Sequence, residues 1–287
     1  MYKRFIIVSF VITLSVFSIA QAAEIKNNLI NNFSDYLSGA LGQNFETAEV
    51  QLSSGTSNKV VGSILVVKSL SDINDEKNTL FTQGSIFLSD DSRETINLGI
   101  GKRKLVNDDT LLLGANLFYD HELDYDHQRA SIGIEAISSV GSFRANQYYG
   151  LSGWQSGLDS VKEKALNGND VEFGAPLPYL PWANFYLRSF NWEGASGAAD
   201  LKGDEMSLEA KFSGFNIEVG KRSNDGTTED DEFLRLTWTC CNNKQEKIGI
   251  SDKAYNLTSV ADQRFAKVRR QNLIVKQKEM SLTVIGF

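Results

Sequence analysis

The feature that most restricts this chain is a period of two in its hydrophobic pattern, sustained from about residue 44 to residue 241. In 93–104, Ile96, Leu98 and Ile100 alternate with Thr95, Asn97, Gly99 and Gly101. In 205–213, Met206, Leu208, Ala210 and Phe212 alternate with Ser207, Glu209, Lys211 and Ser213. In 214–221, Phe215, Ile217 and Val219 alternate with Asn216, Glu218 and Gly220. Successive side chains of an extended chain point to opposite faces, so each segment has one apolar face and one polar or glycine face. Read this way, the sequence predicts about twelve strands, near 44–53, 59–68, 78–89, 92–104, 110–121, 128–138, 142–153, 170–177, 183–193, 203–213, 214–222 and 231–241. Most have the ~9–11 residues that a tilted strand needs to cross a bilayer. An even number of antiparallel strands can close on itself with no unpaired edge.

Composition alone points elsewhere. The 287 residues are 41% hydrophobic and 23% charged, with a net charge of −7 and a mean hydropathy of −0.24, as in a water-soluble acidic protein. Low-complexity and collagen-like chains are excluded, and the acid excess argues against a nucleic-acid partner. Pairing a lipid-facing apolar row with a polar inner row in every strand gives the same average. There are 23 glycines but 3 prolines, and Pro176, Pro178 and Pro181 cluster where strand interiors cannot accept them, in one turn. Cys240 and Cys241 are adjacent and read as two unpaired thiols, and with His121 and His127 the sole histidines there is no zinc spacing.

Residues 1–22 read as a cleaved signal peptide: Lys3 and Arg4 precede an apolar run from Phe5 to Ile19, and Ala20-Gln21-Ala22 forms a small-residue cleavage site. No later stretch approaches the ~20 apolar residues of a spanning helix. In 24–43, Leu29, Phe33, Leu37 and Leu41 recur every four residues, which predicts a short periplasmic helix over 23–43. The barrel is then expected over 44–257.

If the first strand runs outward, connections should alternate between long outer loops and short inner turns. Loops 121–127, 154–169, 194–202 and 223–230 fit the outer set, and Val106–Asp109, Val140-Gly141, the proline cluster and Ser213-Gly214 the inner set. Ser69–Asn78 does not fit, being a long inner connection. Trp154 and Trp192 are expected at outer strand ends and Trp182 and Trp238 at inner ends, as interfacial girdles. A soluble β-sandwich also alternates, but its connections do not alternate in length. Arg103, Glu135, Arg144, Arg188, Glu209, Lys211, Glu218 and Arg235 all fall on the polar face, which in a barrel is the lumen, where opposite charges pair or line a pore.

The densest acid and histidine cluster is 118–127. Asp120, His121, Asp124, Asp126 and His127 are expected on a solvated outer loop. The same residues could bind a cation through carboxylate oxygens, or supply an Asp–His pair for hydrolysis at a barrel mouth. No facing acidic pair is identifiable for such chemistry. The run Asp225–Glu232 reads as a second acidic loop. Gly99-Ile100-Gly101 lacks the third glycine of a dinucleotide fingerprint. No catalytic residue, cofactor or metal site is assigned.

At this point a family resemblance emerges. Phe45-Glu46-Thr47-Ala48-Glu49-Val50-Gln51-Leu52, Asn97 to Arg103, Leu113 to Asp120, Arg129 to Glu135, and Tyr148 to Trp154 resemble successive strands of the intimin/invasin family, the inverse autotransporters. The likeness runs from about residue 28 to the C-terminus. It implies a monomeric, twelve-stranded transmembrane antiparallel β-barrel in the outer membrane of a Gram-negative bacterium. Such a barrel contacts outer-membrane lipid, is inserted by the barrel assembly machinery, and carries its own passenger to the cell surface. It also implies a plug helix after the last strand, here 258–270, and a linker through the pore, here 271–287. Independently, Val260, Phe265 and Val268 make 258–270 amphipathic, with Arg264, Lys267, Arg269 and Arg270 able to meet lumen carboxylates such as Glu209 and Glu218. This sequence stops at Phe287, leaving no passenger within it, so adhesion to a host or surface partner does not carry over. Terminal Thr283, Ile285 and Phe287 alternatively read as a final barrel strand. Other functions in play are a small pore, a surface-loop interaction protein and, less favoured, an omptin-like protease.

Overall fold

The computed structural model describes residues 45–55, 60–89, 93–212, 214–225, 229–240, 248–279 and 284–285. The signal segment, the helix expected over 23–43, and Cys241 lie outside the described residues.

Twelve strands form one closed antiparallel barrel. They are β1 (Thr47–Gly55), β2 (Val60–Ser69), β3 (Asn78–Ser89), β4 (Glu94–Val106), β5 (Leu111–Glu122), β6 (His127–Ser138), β7 (Gly141–Gly150), β10 (Gly168–Leu177), β11 (Leu180–Trp192), β12 (Leu201–Phe212), β13 (Phe215–Asn224) and β14 (Asp231–Cys240). Every strand pairs with its neighbour in sequence, and β1 closes the ring against β14, with Val50 opposite Trp238. The expected strands match these to within about three residues at each end.

Burial is inverted relative to a water-soluble protein. Leu98 is 62% exposed and Ile134 54%, while Arg103 is 1% exposed and Asp120 and Arg129 not at all. Over 95–101 of β4 and 205–209 of β12, exposed apolar residues alternate with buried polar or glycine ones. Such a surface is stable only where lipid replaces water, because closure satisfies the backbone and the apolar row meets acyl chains. Gly99 and Gly101 point inward for a steric reason. A Cβ would lie 2.3 Å from the Phe118 ring at Gly99 and 2.4 Å from the Phe81 ring at Gly101, so these glycines leave room for the two aromatic rings.

The long connection 70–77 at the inner rim is ordered by its own hydrogen bonds. The Asp75 carboxylate accepts the amides of Lys77 and Asn78, and Leu70 N–H donates to Leu80 O. Its length therefore does not make it an outer loop. The tryptophan girdle is a correction. Trp192 shares the inward parity of Arg188 and Phe190 and is buried against Tyr148, with Trp154 packed beside it, so both serve the outer mouth. Trp182 lies at the inner rim and donates to Gly249 O.

At the outer rim, β8 (Gln155–Ser156), β9 (Lys162–Ala165), β15 (Lys276–Lys278) and β16 (Val284–Ile285) form a separate small sheet in the order β16-β15-β9-β8. The C-terminal segment therefore pairs with an outer loop, and the barrel count stays at twelve. We expect Leu98→Arg, at the middle of the lipid-facing row of β4, to destabilise the inserted barrel by about 2–4 kcal/mol. Urea unfolding in lipid vesicles, followed by heat-modifiable gel migration, measures this.

Candidate functional site

The lumen is occupied by the chain's own tail, which climbs through it from the inner to the outer rim. It enters where Val260 N–H donates to Asp109 O in the β4–β5 turn, and it leaves as β15 pairs with β9. Three apolar clusters mark the path. Val260 packs with Leu105, Leu112 and Ile137, and Phe265 and Val268 pack with Leu65, Val67, Phe81 and Phe118. Val275 joins Tyr148, Leu166, Phe190 and Trp192. Helical backbone is limited to a 3-10 turn at Ala261–Phe265, where a helix over 258–270 was expected. The reason is competition for main-chain groups. Arg103 donates to Arg264 O at 2.9 Å and Ala266 O at 2.6 Å, Thr47 to Phe265 O at 2.8 Å, and Gln83 accepts Val268 N–H at 2.8 Å. Carbonyls satisfied by the lumen wall have no need of an i+4 amide.

Around the tail lies a lattice of paired charges. Arg103 bridges Glu135 at 2.6 Å, Arg144 bridges Glu172 at 3.0 Å, and Arg188 bridges Asp170 at 2.7 Å. Arg235 reaches Glu218 at 3.2 Å and Glu205 at 3.5 Å, and Glu205 also takes Arg222 at 2.6 Å. The tail adds its own cations. Arg269 bridges Glu172 at 2.9 Å and Glu218 at 3.1 Å, Arg270 bridges Asp120 at 2.6 Å, and Lys267 bridges Glu49 at 2.6 Å. Glu209 accepts from the Tyr186 hydroxyl and lies 3.7 Å from Lys211. Arg264 contributes its carbonyl, and its guanidinium lies over the Phe265 ring.

The residues expected on one solvated loop are divided between two environments. Asp126 stays exposed and hydrogen-bonds the half-buried His121 at 2.8 Å, and Asp124 accepts the Glu94 amide. Hydrogen bonds from Gln128 and then His121 hold the Asp126 carboxyl below its ordinary range. Asp120 and His127 are fully buried in the lumen. Asp120 follows Asn116 and Phe118 in inward parity on β5, and His127 precedes Arg129 and Ser131 on β6. Asp120 is held between Arg129 at 2.8 Å and Arg270, so the Asp–His pair that hydrolysis would need is not assembled there.

At the outer mouth, Glu122, His127 and Glu163 place one ligand atom each within 4.8 Å of one another, a spacing that can hold a cation. Cationic side chains already occupy it. Arg93 bridges Glu122 at 3.0 Å and Glu163 at 2.7 Å, and Lys276 of the tail pairs with Glu122. Two carboxylates and two cationic groups leave the cluster neutral, with no charge for a metal ion to offset. Burial opposes ionisation of Glu163, but His127 Nε2 at 3.6 Å, the hydrogen bonds from Arg93 and the Arg93 charge outweigh it and lower its pKa to about 2.

Sequence reading missed Glu49, Arg93, Glu122, Arg129, Glu163, Asp170, Glu172, Glu205, Arg222 and Lys276. Parity on their strands was the available signal for Glu49, Arg129, Asp170, Glu172, Glu205 and Arg222. No local signal marked Glu163 or Lys276, whose partners lie more than a hundred residues away along the chain or across a loop.

A twelve-stranded barrel whose lumen is threaded by its own C-terminal segment agrees with a family model, described as the β-domain of inverse autotransporters, that matches residues 15–272. The chain belongs to the inverse autotransporter family. Among its relatives, a protein of Escherichia coli (strain K12) described as an attaching and effacing protein homolog is 35% identical over 106 residues, covering 36% of this chain and 35% of that protein. The inverse autotransporter adhesin YeeJ of the same strain is 29% identical over 219 residues, covering 71% of this chain and 9% of that protein. This chain thus spans a minor part of the length of these curated relatives. A solved structure titled for in-meso crystallization of membrane proteins superposes with a TM-score of 0.69 at 24% identity, over 81% of this chain and 99% of that one, and shares the fold. As an inverse autotransporter β-domain, the chain is an outer-membrane barrel of a Gram-negative bacterium, which accounts for the inverted burial.

Two outcomes are expected of this site. Asp120→Asn leaves Arg129 and Arg270 buried around one neutral amide and should cost about 3–5 kcal/mol, against under about 0.5 kcal/mol for Asp225→Asn on an exposed loop. Paired urea-unfolding curves in detergent micelles read the difference. Because the Glu163 carboxyl is depressed in the folded state, its contribution is complete above pH 4.5 and disappears as pH falls towards about 2. The protection factors of 155–165, which are corrected for the intrinsic pH dependence of amide exchange, should therefore fall across that window.

Proposed function

We propose that this barrel exports its own C-terminal continuation and then holds the connecting segment in the lumen as a plug. The course of the tail carries this reading, because a chain that crosses from the inner turns to the outer sheet delivers whatever follows it to the outer side. The lattice of charges and the three apolar clusters give the segment a defined resting place, which a passive pore would not need. The membership of the family, whose members include an adhesin, supports surface display as the purpose. A receptor or host partner is not assigned. The exposed apolar row supports direct contact with outer-membrane lipid, and we take the barrel to be monomeric and inserted by the barrel assembly machinery. The reading contains no catalytic step, since Asp120 is taken up by Arg129 and Arg270.

Planar-bilayer recording tests the plug. The intact chain should show small, infrequent openings, and a chain lacking 256–287 a large steady conductance. Equal large conductance from both would mean an open pore and end the plug reading. An epitope joined after Phe287 should become accessible to antibody on whole cells, whereas the same epitope retained in the periplasm would end the export reading.

A further inference from the structure

Two zones of the tail are held by different chemistry. From Lys267 to Arg270 the lumen binds chiefly side chains: Glu49 takes Lys267, Glu172 and Glu218 take Arg269, and Asp120 takes Arg270, while Gln83 accepts the Val268 amide and Asn146 donates to Arg269 O. The next three residues are bound mainly through their backbone, with one side-chain contact to the wall, Gln271 Oε1 accepting from Arg188 at 3.5 Å. The Arg129 guanidinium donates to Gln271 O at 2.6 Å, Leu273 O at 3.0 Å and Asn272 O at 3.3 Å. Asn97 donates to Asn272 O at 3.0 Å, and Gln271 N–H donates to the Tyr148 hydroxyl at 2.8 Å. By comparison, the Asn272 side chain meets Arg270 at 3.4 Å, and Leu273 remains half-buried.

The wall side of this zone is oriented by contacts within the wall. The Arg129 guanidinium lies over the Tyr148 ring, 4.6 Å from its centroid, and is held through Nε by Asp120 at 2.8 Å, which aims its fork at the tail. Asn97 is oriented the same way, since it also donates to Asp120 at 2.7 Å. A planar guanidinium with five donors suits closely spaced carbonyl oxygens, which every residue supplies whatever its side chain.

We propose that Arg129, Asn97 and Tyr148 form a main-chain clamp, a binding site for an extended polypeptide segment recognised by its carbonyl and amide groups and not by its sequence. The ligand class is any extended stretch of chain without proline at the position whose amide meets Tyr148. The proposal rests on the export reading and refines it. Residues 267–270 identify the resting tail, and the clamp can grip whichever residues occupy its level as chain passes.

The test uses the full chain in planar bilayers, with heat-modifiable migration confirming a folded barrel for each variant. Asn272→Ala/Leu273→Ala and Asn272→Ser/Leu273→Thr keep the backbone groups, and their open probability should stay within about two-fold of the unaltered chain. Arg129→Lys keeps the charge beside Asp120 but loses the fork, and should raise open probability at least ten-fold. Should Arg129→Lys fail to fold, Tyr148→Phe removes the acceptor of the Gln271 amide, along with the hydroxyl's bond to Asp170, while keeping the ring, and should raise it several-fold. Openings in the tail double variants as frequent as in Arg129→Lys would mean that side chains hold this zone and would overturn the clamp. So would a closed state unaltered by Arg129→Lys, or by Tyr148→Phe where that stands in. Failure of export is read separately, from the epitope after Phe287, and a chain already open without any substitution overturns plug and clamp together.

Discussion

The contact on which the arrangement depends is the Asp120 carboxylate between the guanidinium groups of Arg129 and Arg270, all three fully or almost fully buried. Arg129 is on β6 beside Asp120 on β5, and Arg270 belongs to the tail, so one anion joins wall and plug. A lone carboxylate at this depth would be strongly disfavoured, and so would either arginine without it. The ion triplet thus couples barrel and tail: a wall built with these charges is stable when the tail supplies the remaining cation. Similar reasoning applies to Glu172 and Glu218, each of which has one partner on the wall and one in Arg269.

Such a lumen is possible because the outer surface follows the opposite rule. In lipid every backbone group must be bonded within the protein, and closure of β1 on β14 achieves this for twelve strands. Most apolar side chains go outward, leaving the inward row to polar residues, glycines, and the aromatic and aliphatic side chains that pack on the tail. The interior then has charged groups facing one another at short range. Partial filling by the tail leaves a polar cavity of about 130 Å³ beside it, lined in part by Gln51, Ser63, Glu205, Arg235 and Lys267. The tail stays extended for the same reason that the lattice exists, because the wall offers hydrogen-bond partners that a helix would leave unmet. At the outer mouth Lys276 repeats the principle, supplying from the tail the second cation for Glu122 and Glu163.

Much of this was legible in the sequence. Period-two alternation located the twelve strands to within about three residues, and the same parity assigned Arg103, Glu135, Arg144, Arg188, Glu209, Glu218 and Arg235 to the inner face. Parity also contained the answer for Asp120 and His127. The density of acids around them suggested a solvated loop instead, although each lies on a strand in step with inward neighbours. Trp192 was misplaced by a similar preference for residue type over parity. Amphipathic spacing of Val260, Phe265 and Val268 suggested a helix, yet the spacing serves two separate apolar sites along an extended path as well.

What the sequence determined by itself is the wall: strand number, facing and closure follow from local alternation, since neighbouring residues decide which way a strand side chain points. What the tertiary structure decided is the filling. Whether 260–278 is helix or extended chain, and which of Glu122, Glu163, Asp120 and Glu172 meets which cation, depends on groups far apart in the chain. Those groups meet after the ring has closed, so no local pattern records their pairing.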